Sequence, residues 1–454
     1  MGLTADIGRF VAGLRYDDIP PDTVPTVCRG VTDCVGVMLA GLPEPVSGIV
    51  AKFVNYPHPV SAIADFGEPE IAAPDLALIY GTAAHALDYD DTGLNGHPSA
   101  VLVPAILAEA LETGADGRQM IAAYVAGYEI WAEFVAREPD SLHQKGWHPS
   151  AIYGTVAAAG SSAVLRGFNE ALATRAIGIA ASLASGVAAN FGSMTKPFHL
   201  GRTAQSALTA TRLAEAGLTS SPDALEHDVG FLRAVSPQRH VDVKSDAQFG
   251  KEWRILTSGI NVKLYPMCFG THRILDAMID VCRDNSIAAD AISAVDVDLA
   301  VNSVKILRNP RPQTSLEAKF SAEFAIAAAA IAGRCSDAEV SNDFVRRPDV
   351  QGFFGKVHIH ALTEQDPEEP TRSPFDRVRL TLHDGRKVAS EDVRYPRGHF
   401  RRGVERDVLW QKFSDCAAAS VTPARARALF ETLQDLSRLK SLGELRPRLA
   451  PAAE

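Results

Sequence analysis

The chain has 454 residues, more than one ordinary hydrophobic core serves, so two domains are expected. A formal charge of −10 argues against nucleic acid or an anionic membrane surface as partner, while 46% hydrophobic and 22% charged residues fit a globular protein. The N-terminus lacks the basic and apolar regions of a signal peptide. No uninterrupted apolar run reaches the roughly 20 residues of a membrane span. Six scattered cysteines without a C-x-x-C pair fit a cytoplasmic location and argue against a metal cluster or zinc ribbon.

Residues 2–14 and 23–41 read as amphipathic helices separated by Pro20-Pro21. Residues 43–73, rich in Pro and Gly, read as a connecting stretch. From Pro74 to about Gly217 the chain is Ala-rich and helical, with turns at 93–98, 114–117, 138–149 and near 167–168. Runs such as VAAAGSSAVL and IGIAASLASGVAA imply close helix–helix contacts. The pattern changes after about residue 260. AVDVDLAV (294–301) and KVHIHAL (356–362) alternate as strands, and 376–393 reads as a hairpin turning at His383-Asp384-Gly385. Helices are expected over 271–285, 319–333, 404–418 and 422–438, with LRPRLAPAAE a frayed end. The fold class is therefore mainly α: a large all-helical domain and a smaller α+β domain over 263–396.

Chemistry concentrates in Gly81–Ser99, GTAAHALDYDDTGLNGHPS. Ionisable groups this dense between apolar runs are costly unless paired or used. If helix persists to Thr92, Asp88 and Thr92 share a face, one turn on from His85. Asp88, Asp90 and Asp91 could hold magnesium for diphosphate chemistry, or simply solvate a helix end; no second Asp-rich segment supports the metal. Pro98-Ser99 reads as a helix start, placing His97 at a helix N-terminus suited to an anion. His148 precedes Pro149 in the same way. Lys196 and Arg202 flank Pro197 and Gly201 at the entrance of a long helix. Cations there oppose the helix dipole unless an anion sits between them, so a carboxylate clamp is plausible. Lys263 and Tyr265 precede Pro266, and His272 opens a helix. Cys268 reads as packing, and Lys319 could add positive charge. There is no G-x-G-x-x-G after a strand, P-loop, G-x-S-x-G or H-E-x-x-H, and nothing calls for a cofactor or a metal.

HALDYDDT followed by HPS, with KPFHLGRTA and YPMCFGTH further on, resembles the MmgE/PrpD family over nearly the whole chain. The resemblance implies that the C-terminal helices rejoin the first domain, giving a discontinuous helical domain (1–262 and 397–454) and a lid (263–396). It implies that Asp88 and Thr92 line the active site and that Asp90 or Asp91 holds local structure. His97 faces the substrate, with His148 also a site residue. Lys196 lies in the site with His199 and Arg202 close by. His272 joins from the second domain, from the same block as Lys263 and Tyr265. It further implies a homodimer acting on small di- or tricarboxylates without a redox cofactor. Dehydration of a 2-methylcitrate-like acid is the expected reaction. Decarboxylation of cis-aconitate and epimerisation of iminodisuccinate are its alternatives, and a magnesium-dependent diphosphate enzyme or a non-catalytic carboxylate binder the readings from other classes.

Overall fold

Two glycines set the geometry of the helical part. In the computed structural model, which describes residues 2–67, 70–369 and 372–446, helix α4 (Ala73–His85) packs against α9 (Thr195–Glu215). A Cβ on Gly81 would lie 2.8 Å from the Gly201 Cα, and one on Gly201 would lie 2.2 Å from the Leu78 carbonyl oxygen. Backbones this close need residues without side chains. The pairing is antiparallel, so the end of α4 meets the start of α9. That brings His85 beside Lys196.

The chain divides into two compact units, Met1–Val262 with Glu405–Glu454, and Lys263–Val404. The first is helical: α1 (Leu3–Gly13), α2 (Val24–Gly41), α3 (Pro45–Phe53), α4, α5 (Pro98–Thr113), α6 (Gly117–Arg137), α7 (Pro149–Leu165), α8 (Glu170–Leu183) and α9. Helices α5, α6 and α7 bury nearly every residue, as their Ala-rich sequences anticipate. Residues 43–73 are more than a connection. Pro45 opens α3, which turns Val46, Val50 and Ala51 inward. The later helices Arg406–Ala417 and Pro423–Gln434 pack on α2. Residues 397–404 group with the second unit because Arg397 is tied to Asp276 through its backbone N–H (2.6 Å) and guanidinium (3.2 Å).

The second unit holds a four-stranded sheet, β1 (Ile292–Ala300), β2 (Val357–Leu362), β3 (Arg377–Leu382) and β4 (Lys387–Ala389), in the order β2-β1-β3-β4. β1 runs parallel to β2 and antiparallel to β3, and β3–β4 is the expected hairpin, with Gly385 at φ +85°. The buried face (Val295, Val297, Leu299, Val378, Leu380 and Leu382) forms one core with the helices His272–Asp284 and Ala322–Ala332. The helix expected over 319–333 starts at Ala322, because the Ser321 hydroxyl caps the Phe324 N–H. Lys319 is left in the turn before it. The architecture is mainly α with a small α+β part. The terminal run from residue 447 lies outside the described residues. No single helix among those described is long and apolar enough to cross a membrane.

Candidate active site

Helix α4 ends at His85, three residues before the helical register of Asp88 and Thr92 could form. Asp88 instead adopts φ +52°, a left-handed conformation that Asp tolerates better than most residues. The reversal turns the Asp88 carboxylate back towards α9. Next, Leu94 (φ +51°) and Asn95 (φ +59°) form a tight two-residue turn closed by reciprocal Gly93 and Gly96 hydrogen bonds. Gly96 is required there, since a Cβ would lie 2.7 Å from the Trp131 ring and 2.8 Å from the Ser150 Oγ. The Thr92 hydroxyl donates to the Gly96 carbonyl at 2.8 Å, so it serves the loop.

His97 and His148 occupy equivalent positions. Each immediately precedes a Pro-Ser pair that opens a helix, α5 and α7, and the following proline holds each backbone out of the helical region. The two entrances are joined by the His97 N–H donating to the Ser150 Oγ at 3.1 Å, and the imidazole centroids lie 6.3 Å apart.

The polar groups converge on Asp90, which is fully buried. Its Oδ1 lies 2.7 Å from His85 Nδ1 and its Oδ2 2.9 Å from His97 Nδ1. His97 Nδ1 also lies 3.2 Å from the Asp91 carbonyl oxygen. Both imidazole Nδ1 atoms therefore face only acceptors and carry hydrogen. Burial would raise the Asp90 carboxyl, but His85 and His97 outweigh it and hold it well below the usual range. Burial, against the pull of Asp90, pushes His85 down to about 3, so the ring stays neutral. Its Nε2 then accepts from Lys196 Nζ at 2.8 Å, while the same ammonium pairs with Asp88 Oδ2 at 3.0 Å. The anion that a cationic helix entrance calls for is thus Asp88. His97 Nε2 lies 3.9 Å from the other Asp88 oxygen.

A second histidine pair flanks this cluster. His148 Nδ1 and His199 Nδ1 are 3.2 Å apart, and Phe191 packs on the His148 ring. Burial, then Lys196, lowers both, His199 to about 4. These rings offer hydrogen bonds without charge. Beneath the loop, Asp91 accepts from the Ser99 N–H at 3.3 Å; burial, then Asp33, holds its carboxyl well above the usual range. Lys412, from the C-terminal segment, pairs with Asp33 at 2.6 Å and donates to the Tyr89 carbonyl at 2.8 Å.

Asp88, His97, His148, Lys196 and His199 are therefore gathered in one place, with Thr92 in the adjoining loop. Arg202 is not. It lies on the exposed face of α9 and donates to Gln205 at 2.6 Å, because six helical steps from Lys196 turn it about 240° round the helix axis. In the second unit the Tyr265 hydroxyl donates to Asp276 at 2.6 Å, a structural use of a residue expected to bind substrate. His272 is fully buried, 5.1 Å from the Tyr265 ring and 4.8 Å from the Phe269 ring, centroid to centroid. Lys319 and Lys263 are buried too, and the Lys319 carbonyl accepts from the Cys268 N–H. His85 has a larger part than its sequence context suggested. The His-Pro-Ser triplet repeated at 97–99 and 148–150 would have pointed to the paired helix entrances. A surface hollow around Phe10, Phe249 and Trp253 lies elsewhere and gathers no histidine.

His85, Asp88, Asp90 and His97 are close enough to surround a metal ion. Lys196 already places a positive charge 2.8 Å from His85 Nε2 and 3.0 Å from Asp88, where such an ion would bind, and both His85 nitrogens are engaged. The donor set fits the Lys196 ammonium better than a metal ion. A lysine held charged beside a histidine with a defined tautomer can bind a carboxylate and exchange a proton with a neighbouring carbon.

Comparison with known proteins identifies relatives along the whole chain. The chain is 24% identical to human "Cis-aconitate decarboxylase" over 98% of its own length and 93% of that protein. It is 25% identical to the "Cis-aconitate decarboxylase" of Aspergillus terreus (98% and 95% covered) and to "Cis-aconitate decarboxylase-like protein oryM" of Aspergillus oryzae (98% of each). The MmgE/PrpD N-terminal domain matches residues 5–244 and the MmgE/PrpD C-terminal domain residues 265–437, so the chain belongs to the MmgE/PrpD family.

Proposed function

We propose that this protein is a lyase that develops negative charge on a carbon next to a carboxylate, and that it decarboxylates a small tricarboxylate resembling cis-aconitate. The observation that carries the reading is the Lys196 ammonium, buried between Asp88 and neutral His85 and beside His97. The relatives' names favour decarboxylation over the dehydration expected from sequence and over epimerisation. The carbon–carbon bond to the departing carboxylate breaks, and its electron pair passes into the adjacent alkene and retained carboxylate. Lys196 meets that charge. Carbon dioxide leaves, and the carbon takes a proton from Nε2 of His97 in its imidazolium form; the Nδ1 hydrogen stays on the Asp91 carbonyl, beside Asp90, and Nε2 regains its proton from solvent before the next turnover. His148 and His199 supply uncharged hydrogen bonds. No step calls for a cofactor. A homodimer in the cytoplasm is the assembly and location proposed.

The test is incubation with cis-aconitate, citrate, 2-methylcitrate and iminodisuccinate, followed by NMR. Loss of carbon dioxide from cis-aconitate is expected. A new alkene without carbon dioxide would move the assignment to a hydro-lyase, and racemisation to an epimerase. Binding with no turnover of any acid would leave a carboxylate-binding protein. Activity should survive EDTA; stoichiometric metal in active protein, lost together with activity on chelation, would restore the metal reading.

A further inference from the structure

The geometry points to His85 and Asp90 as a positioning pair, with Asp90 holding the His85 hydrogen on Nδ1 and lying beside His97 Nδ1, whose own hydrogen goes to the Asp91 carbonyl. His85 then presents its Nε2 lone pair to Lys196, and His97 presents Nε2 on the side of Asp88. The inference rests on the proposed lyase reading for its kinetic consequences, but not for its geometry.

The argument starts from donors and acceptors. Asp90 is fully buried and accepts from His85 at 2.7 Å; its other oxygen lies 2.9 Å from His97 Nδ1, whose hydrogen bond goes to the Asp91 carbonyl at 3.2 Å. Neither an ionised carboxylate nor a carbonyl has a hydrogen to give, so both Nδ1 atoms must be the donors. His85 therefore has Nε2 left as acceptor, and the group 2.8 Å away is the Lys196 ammonium, which only donates. The reversed tautomer would set N–H against N–H at that contact and lone pair against carboxylate at the other. Each link thus dictates the next, from Asp90 through His85 to Lys196, while the Asp91 carbonyl fixes His97 beside them. The rings of His85 and His97 also pack edge to face, 4.3 Å between centroids, so neither turns without the other. His85 touches no substrate in this scheme: it acts through Lys196.

Two substitutions of His85 separate the links. Asparagine offers an amide donor near the place of Nδ1 but has nothing at Nε2. Glutamine reaches the place of Nε2 and can accept from Lys196 but cannot also donate to Asp90. His85→Asn should raise KM about 10-fold with little change in kcat, the size typical of a partner that orients a reacting side chain. His85→Gln should keep KM and lower kcat by about 10-fold. Asp90→Asn should lower kcat by about 100-fold and displace one limb of its pH profile.

Nitrogen-15 NMR of histidine-labelled protein provides a readout that needs no turnover. The wild type should show His85 and His97 protonated at Nδ1, and Asp90→Asn should move the His85 Nδ1 signal. Rings carrying hydrogen at Nε2 alone in the wild type would overturn the inference. So would folded His85→Asn and His85→Gln enzymes with wild-type KM, kcat and pH profile. If the wild type turns over no carboxylate, the lyase reading fails alone, and the tautomers still decide this one.

Discussion

Residues 81–99 and residues 263–272 are both polar stretches leading to a histidine at a helix start, yet they use their polar groups differently. In the first, Asp90, His85, Lys196 and Asp88 form a continuous chain in which each group sets the state of the next. In the second, Tyr265 is committed to Asp276, and His272 is sandwiched by aromatic rings. A buried polar chain costs desolvation that structure alone rarely requires, and such chains cluster where charge must be held for chemistry. A tyrosine bonded to a buried aspartate holds a fold together. Richness in polar residues is therefore a poor guide to the reacting side, and connection among them a better one.

The largest test of that contrast is His97→Gln, which should lower kcat by about 10²–10⁴-fold at nearly unchanged KM, the usual range for a lost acid–base group. Wild-type kcat in a folded variant, checked by circular dichroism, would shift the proton transfer to His148 or His272. Lys196→Ala should raise KM by one to two decades, since a charge-assisted contact contributes roughly 1.5–3 kcal/mol. It should also destabilise the fold, because Asp88 loses its buried counter-charge. Thermal melts alongside kinetics separate the two effects.

Acid should act on the first stretch before the second. Between about pH 6.5 and 3 the unfolded chain protonates His85 while the folded chain does not, so stability falls as pH drops, by up to roughly 1 kcal/mol per unit. His148 adds in the same direction, and Asp90 joins only below about pH 4, when the unfolded carboxyl takes its proton. Asp91 works the other way, favouring the fold while protonated. Urea midpoints from pH 7.5 to 4.5 check this: a flat profile would mean the histidines titrate normally. Tyr265→Phe should cost about 1–2 kcal/mol through the hydrogen bond that Asp276 loses and leave kcat within about threefold. A large kcat loss at unchanged stability would place Tyr265 in the chemistry after all. Smallest of all, Arg202→Ala should change KM less than about twofold, because its guanidinium is exposed and bonded to Gln205.

Helix periods and the change of pattern after about residue 260 were legible in the sequence because they follow directly from which side chains are buried. So were His97, His148 and Lys196, each placed by a proline or a small-residue helix entrance. What sequence could not show was the end of α4. Nothing in ALDYDD announces that Asp88 takes a left-handed conformation, because that choice is rewarded only by Lys196, 108 positions later. His85 was obscured for the same reason: its partners are Asp90, five residues on, and a lysine on another helix. Arg202 was misplaced because proximity in sequence to Lys196 says little on a helix, where each step turns the side chain by about 100°.

Lys412 carries a consequence for how the protein comes into being. It grips the Tyr89 carbonyl from 323 positions downstream. At translation speeds of about 5–20 residues per second, that partner leaves the ribosome roughly 15–65 s after the loop it anchors. The nascent loop must wait through that interval with Asp33 lacking this lysine. Assembly of the reacting groups is therefore a late event in the life of each chain, and premature termination before residue 412 yields a product without the final clasp.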